Sequence, residues 1–597
     1  MYGGPGFKYN LTSTGDTLYG WRQFTPRDIY QQVTTQSIER FIPSATANWR
    51  PREWFVGRAN FGLDYISRLD TQLCRFANCP NNGDNRQGLK RDNRTNFFIY
   101  TIDAAGTATR RLTNTIESKT TGGFQFGRNI LDRNGASATF LTPGGTTISQ
   151  GTIRTAEETT SESRTLGGFL EENLGFRDRL FITAAVRSDR NSAFGADFKT
   201  VFYPKLAASW VISDESFFPQ TNFISQLRLR TAYGASGVQP GNTDAVQFFT
   251  TSSARVNNTL GESGDVTGAV YSTVGNRELK PERSTELEAG IDGTFWNGRL
   301  STEFTFYNKS SKDALISRTL PPSLGTGATT RFENLGEVQN RGWEMLVNGH
   351  IIQKQAFGWD MTLNGSSNKN KLISLGGVPP IVGTTTQQRE GYPLNGWWSR
   401  KLSAYSDANN DGIISLSEIT VDSVPEFGGP SYFGPSQPTL ELALSSGIDL
   451  FDRRLRLSAM TDYKGGHLNY NNTERIRCAS RNNCAGLISK NASDRDKART
   501  TMVREHASRS VGGFFEEADF IRLREVSLSY TAPQAFAGRY LKSRSLVLTG
   551  AVRNLGTIWT KYTGTDPESF GTTGNAPSEF QAFAPPTYLS FRLNLGF

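Results

Sequence analysis

The last eleven residues narrow the fold to two kinds of wall. Over Thr587–Phe597, Leu589, Phe591, Leu593, Leu595 and Phe597 fall on one face of an extended strand, and Ser590, Arg592, Asn594 and Gly596 on the other. Strand side chains alternate with period two, so the first face is continuously apolar while the second carries a charge and an amide. Such a segment suits either the edge of a soluble sandwich or one stave of a transmembrane β-barrel. A barrel stave needs about ten residues, apolar outside and polar inside.

Composition removes other classes. Only 36% of the residues are hydrophobic and the mean hydropathy is −0.46, with no uncharged apolar run of the length a membrane helix requires. That excludes a helical membrane protein and leaves the barrel open, because half of each barrel strand faces water. Gly 60, Phe 39 and Tyr 19 against Met 5 and His 3 describe strands and turns rich in aromatics. The net charge of +9 is spread without a dense Lys/Arg block, so nucleic-acid binding is not expected. At 597 residues the chain holds either several soluble domains or one very large barrel.

The alternation recurs. Phe55, Gly57, Ala59, Phe61, Leu63 and Tyr65 share a face opposite Val56, Arg58, Asn60, Gly62 and Asp64. Similar strands are read over 180–189, 227–234, 299–307, 359–364, 454–463 and 546–553. Weaker strands are predicted over 95–103 and 112–130, with loops at 68–93 and 133–160. Residues 1–38 form a poorly defined segment, and 39–597 the barrel-like body. Tight turns at Gly175–Asp178, Ser213–Ser216 and Trp296–Gly298 contrast with long connections at 236–275, 310–332, 372–392 and 466–510. Short turns at one rim and long loops at the other are a barrel pattern, whereas soluble β-domains keep most connections short. The expected fold is therefore an all-β, antiparallel transmembrane barrel with about sixteen to eighteen strands.

Several segments resemble the SusC/RagA class of TonB-dependent outer-membrane transporters. They include Arg179–Asp189 with Asn191–Gly195, Tyr203–Trp210, Leu227–Gly234, and Leu279–Arg283 with Glu286–Ile291. Asn334-Leu-Gly-Glu-Val-Gln-Asn-Arg-Gly-Trp-Glu344 follows, then Ala518-Asp-Phe-Ile-Arg-Leu-Arg524 with Leu528–Tyr530. Arg553–Leu555 precedes Lys561-Tyr-Thr-Gly-Thr-Asp-Pro-Glu568. The terminal Phe597 is similar to the assembly signal of bacterial outer-membrane barrels. The resemblance implies a Gram-negative outer-membrane location and a barrel of about 22 strands with a plugged lumen. It also implies a SusD-like lipoprotein lid, TonB drive, and import of oligosaccharides or peptides. The family's signal peptide, TonB box, carboxypeptidase-like repeat, plug and first barrel strands find no counterpart in this sequence, so the chain reads as the carboxy-terminal two-thirds of such a protein. An unclosed sheet in lipid would then need strands from elsewhere, or would close more narrowly.

Local motifs are few. Asp407-Ala-Asn-Asn-Asp-Gly-Ile-Ile-Ser-Leu-Ser-Glu418 has the spacing of a calcium loop. Asp407, Asn409, Asp411, Ser415 and Glu418 stand at positions 1, 3, 5, 9 and 12, the Ile413 carbonyl at 7, and Gly412 at the sharp turn. Its flanks read as extended, so no EF-hand domain is implied, and an Asx/Gly-rich turn is the other reading. Cys74/Cys79 and Cys478/Cys484 read as two local disulfides of an oxidising compartment. Neither pair has the spacing of a zinc knuckle, and no His accompanies them. Trp54, Trp210, Trp296 and Trp343 read as interfacial girdle residues near strand ends, and Trp397-Trp398 fits either lumen or loop. His350, His467 and His506 are isolated, and no hydrolase or phosphate-loop motif is present, so an enzyme is not expected. The alternatives to an importer are a β-rich glycan-binding surface protein and a barrel enzyme.

Overall fold

The computed structural model describes residues 10–11, 17–18, 30–79, 85–194, 200–219, 221–241, 244–257, 263–321, 323, 330–422, 431–569, 576, 578–580 and 582–597. Eighteen strands, from Val33–Phe41 to Tyr588–Gly596, form one antiparallel barrel sheet. Val33–Phe41 and Ser44–Arg52 pair one after the other with Phe55–Cys74, so they make a single stave interrupted at Ile42-Pro43. Proline has no N–H to give the ladder, which explains the interruption. The last stave, Tyr588–Gly596, pairs with Ser545–Thr560.

Among the described residues no ladder joins Tyr588–Gly596 to the first stave. Both strands of that first stave are exposed along their whole length, and Phe591 is 87% exposed. Among the described residues the first and last staves thus pair along one side only, which leaves a seam between the two ends of the sheet.

Connections at one rim are mostly short, as at 53–54, 112–115, 177–179, 296–299, 354–356 and 451–454. Arg177 and Asp178 (φ 51° and 56°) and Trp296, Asn297 and Gly298 (φ 49°, 56° and 87°) take the left-handed backbone that tight hairpins need. The opposite rim carries 239–281, 375–439, 466–519 and 561–587. The expected alternation of short and long connections is present.

Several expected loops are strand. Residues 68–93 contain the end of Phe55–Cys74 and the start of Leu89–Arg111. Most of 133–160 belongs to Ile116–Leu141 and Gly151–Phe176, two strands of 26 residues each. Strand also runs to Thr319 and resumes at Thr330, which shortens the expected 310–332 connection. The connection expected at 372–392 instead extends from 375 to 439 and folds its own small sheet.

One face of the wall is apolar only over a limited height. On Leu89–Arg111 its outward residues run Ala104, Ile102, Tyr100 and Phe98, then become Asn96, Arg94, Asp92 and Lys90. On Gly151–Phe176, Leu170 and Leu166 lie between Glu172, which accepts from Ser118 and Thr120, and Arg164 and Glu162, which are paired at 2.5 Å. A bilayer core takes about 9–11 residues of a tilted strand.

Candidate functional site

The inward face of the wall is charged. Asp292 accepts from Arg228 Nε at 2.8 Å and from Arg230 Nε at 3.1 Å. Arg456 spans Asp360 and Asp449 at 2.8 and 3.1 Å. Between these pairs lies a cavity of about 560 Å³ where carboxylates outnumber cations: Glu286, Glu288, Glu303, Glu344, Glu441 and Asp462 face Arg230. Strand alternation assembles this lining, since each carboxylate follows or precedes an outward apolar residue such as Leu287 or Phe304.

The long connections pack together over one end of the wall. Their core joins Trp397, Tyr470, Phe514 and Phe515 with the cystine Cys478–Cys484. Trp397 stacks on Phe515 with ring centroids 5.0 Å apart and donates Nε1–H to the Leu468 carbonyl at 2.7 Å. This places Trp397-Trp398 in the loop layer, not in the lumen. Asn471 caps the short helix Asn472–Ile476 by accepting from Glu474 N, and Ser493 caps Asp494–Arg504 by accepting from Asp496 N.

Two buried carboxylates organise this layer. Glu516 accepts from Arg499 at 2.8 Å, Thr563 Oγ1 at 2.6 Å and Thr563 N at 3.2 Å. Glu579 accepts from Tyr562 Oη at 2.8 Å and from Thr565 N and Oγ1 at 2.9 Å. Burial and the adjacent Glu579 push the Tyr562 phenol well above its ordinary range. Beside them, Arg522, 1% exposed, is paired with Asp566. Residues Lys561–Glu568 are thereby pinned to Ala518–Arg524, joining two segments that sequence resemblance had singled out separately. Sequence reasoning missed this network because opposite charges forty-odd residues apart carry no register in themselves.

A cavity of about 1290 Å³ opens within the layer, lined by Lys401, Tyr405, Asn471, Arg499, Glu516 and Thr563 among others. Its cations and anions are largely paired with one another, as in Arg477–Glu474 and Lys561–Glu517, both at 2.8 Å. Charged ends on flexible stems, aromatic rings and hydroxyls suit an extended polar ligand, and nothing in this lining constitutes a nucleophile–base pair.

The 407–418 loop folds back on itself. Asp407 accepts from Asp411 N at 3.1 Å and Gly412 N at 2.8 Å, Asn409 Oδ1 accepts from Asp411 N at 3.0 Å, and Asp411 accepts from Ile413 N at 2.7 Å. Glu418 accepts from Ser415 N, Ser415 Oγ, Ala408 N and Asn409 N at 2.9, 2.8, 2.9 and 3.4 Å. Those donors, Ser415 N first, hold the Glu418 carboxyl below its ordinary value. Leu402–Tyr405 and Ile419–Val421 pair beside the loop, as the extended flanks required. Among the described residues, the one trio of His, Cys, Asp or Glu ligand atoms within 4.8 Å is Glu474, Cys478 and Cys484. Both of those cysteines are spent in a disulfide, so the trio offers no thiolate.

Cys74 and Cys79 are likewise bonded, with Cα atoms 5.6 Å apart, closing a short turn at the end of Phe55–Cys74. Trp54 and Trp296 lie in short-rim turns and Trp210 at a strand end, whereas Trp343 sits within a strand, stacked on Phe304 at 6.4 Å. His467 is buried, and burial pushes its imidazole down to about 4.

A family model described as TonB dependent receptor-like, beta-barrel matches residues 2–433. TonB-dependent receptor P26 of Formosa agariphila is 28% identical over 447 residues, covering 67% of this chain and 42% of that protein. TonB-dependent receptor SusC of Bacteroides thetaiotaomicron is 32% identical over 212 residues, 34% of this chain and 20% of SusC. A solved structure of the RagAB peptide importer in its closed-closed state superposes with a TM-score of 0.79 at 21% identity, over 98% of this chain and 66% of that one. That likeness is one of fold. The chain spans less than half the length of the curated relatives it matches.

Proposed function

Because this chain belongs to the TonB-dependent receptor-like β-barrel family, we propose that it is the barrel wall and loop layer of an outer-membrane importer. Its cargo is oligosaccharide or peptide, and its partner is a SusD-like surface lipoprotein. TonB supplies the drive. The observation that carries this reading is the two-faced wall: an apolar belt outside, a carboxylate-rich cavity inside, and a folded loop layer with a large polar cavity over one end. The family comprises receptors and transporters, and we assign no enzymatic step to this chain. The 407–418 loop is proposed as a calcium site on the spacing of its oxygen ligands.

Uptake by a strain lacking the gene tests the reading. Complementation should restore growth on one polymer class, glycan or peptide, and the protein should fractionate with the outer membrane. Recovery in the soluble fraction, or binding of glycan with uptake unchanged by deletion, overturns the importer.

A further inference from the structure

At the short rim one connection differs from its neighbours: Ala532–Arg544 folds the α-helix Gln534–Leu541. Its place is fixed by alternation. Leu528 and Tyr530 on one strand and Leu548 on the next point outward, 48%, 42% and 46% exposed. Ala532 and Leu546 continue that face by two residues, and Ala532 N donates to the Leu546 carbonyl at 3.0 Å. Both are buried because Ala537 of the helix packs over them. The helix therefore lies against the outside of the wall, at the foot of the apolar belt.

Its remaining face is uncovered. Phe536, Tyr540 and Leu541 are 48%, 66% and 41% exposed, and the two rings sit 5.0 Å apart. Residues 532–552 include Arg539, Lys542 and Arg544 and no carboxylate. A depression beside the helix is lined by Gln534, Ala535, Gly538, Lys542, Ser543 and Arg544. Aromatic rings next to a cluster of cations, continuous with an apolar belt, match the boundary between acyl chains and anionic headgroups.

We propose that Gln534–Leu541 is an interfacial anchor that seats Phe536, Tyr540 and Leu541 at the acyl boundary and binds the phosphates of anionic phospholipid through Arg539, Lys542 and Arg544. This rests on the barrel being membrane-inserted. The helix would then set how deep the wall sits next to the seam, since Arg544 N also donates to the Gly596 carbonyl of the edge strand at 2.6 Å.

The test uses the full chain in vesicles of phosphatidylcholine with and without phosphatidylglycerol, carrying a fluorophore on Gln534→Cys with the native cystines left oxidised. Resistance of the wall to added protease reports insertion independently, so its failure sinks the barrel reading and not the anchor alone. In inserted protein, lipids spin-labelled near the headgroup should quench the fluorophore, more strongly with phosphatidylglycerol. Arg539→Gln, Lys542→Gln and Arg544→Gln together should abolish that phosphatidylglycerol dependence, each cation being worth roughly fivefold. Phe536→Ser with Tyr540→Ser should move the label toward soluble iodide. Quenching by iodide alone in inserted wild-type protein overturns the anchor and marks the helix as a face for a soluble protein. Quenching indifferent to phosphatidylglycerol overturns the phosphate contact.

Discussion

Arg524 and Glu568, forty-four residues apart, meet in a two-pronged pair at 2.7 and 2.6 Å, and the same guanidinium holds Asp462 at 2.7 and 2.6 Å. One arginine thus clips a surface connection to two adjacent staves. Arg522 does the same for Asp566 and, being 1% exposed, it does so out of water. Paired guanidinium–carboxylate geometry of this kind fixes position as much as it supplies energy.

Removing Arg522 should free the 561–569 segment without unfolding the barrel. Arg522→Ala leaves the Asp566 carboxylate, 11% exposed, without its partner. Breaking a buried pair costs about 3–5 kcal/mol, roughly a hundredfold or more in the open population at 1.4 kcal/mol per tenfold. Amide exchange checks it: Glu568 N, bonded to Asp566 Oδ1 at 2.8 Å, and Thr563 N should lose protection. Leu528, in the wall, should not. The double variant Arg522→Met, Asp566→Leu should recover most of the protection at Thr563 N, because both charges leave together, while Glu568 N stays unprotected for want of its acceptor.

Acid should loosen the same layer first through His467. Burial is the main cause of its depressed value, with Asp519 opposing and Lys464 reinforcing. The imidazole falls from 6.5 to about 4 on folding, so the unfolded chain binds the proton more readily. Its stabilising contribution is complete above pH 6.5 and declines as pH falls toward 4, by about 3 kcal/mol in all. Glu568 acts lower. Burial alone would raise its carboxyl, but Arg524, then Arg522 and Lys464, hold it below 4.5, so its contribution disappears only under that pH. The protection factor at Ala518 N, which donates to the His467 carbonyl at 3.1 Å, should fall between pH 6.5 and 4 once the intrinsic exchange rate is divided out. His467→Phe should remove that step and leave the lower one.

The calcium reading has a variant that separates charge from folding. Asp407→Asn and Asp411→Asn each keep an amide oxygen for the loop N–H groups while removing a negative charge. Glu418→Gln is less informative, because Glu418 carries four of the loop's internal bonds. Titration calorimetry should find calcium binding in the range extracellular sites use, about 0.1–1 mM, weakened more than tenfold in the double Asn variant. Unchanged amide protection without calcium would show the loop intact. Absence of heat for the wild-type loop would reduce it to an Asx turn.

What was legible in the sequence follows the height of the belt. Phe55–Tyr65 and 180–189 read as strands because one face meets an apolar environment and the other water, so the alternation is printed in residue type. The upper halves of Leu89–Arg111 and Ile116–Leu141 are wet on both faces. There Asn96, Arg94 and Asp92 stand where Ile102 and Phe98 stood below, and the period-two signal vanishes though the ladder continues. Strand identity there rests on hydrogen bonds between backbones and on cross-strand pairs such as Thr71–Asp92 at 2.7 Å. The same blindness hid Glu516 and Glu579, whose burial is produced by connections folding onto each other.

The two faces of one stave give the sharpest separation. Leu548 is outward, 46% exposed and level with Tyr530 and Leu593 on the neighbouring staves. Thr549, the next residue, turns inward and shares a hydrogen bond with Ser529 Oγ at 2.9 Å. Arginine on a lipid-facing barrel position costs about 2–4 kcal/mol near the bilayer midplane, whereas an inward arginine joins a face already lined with Arg456 and Asp449. Leu548 lies one step along its face from Leu546 at the foot of the belt, so Leu548→Arg should lower the unfolding free energy of the vesicle-folded protein by about 1–2 kcal/mol, and Thr549→Arg by less than about 1 kcal/mol. Equal losses would mean that Leu548 does not face lipid. A larger loss at Thr549 would mean that the wall is turned inside out relative to this structure.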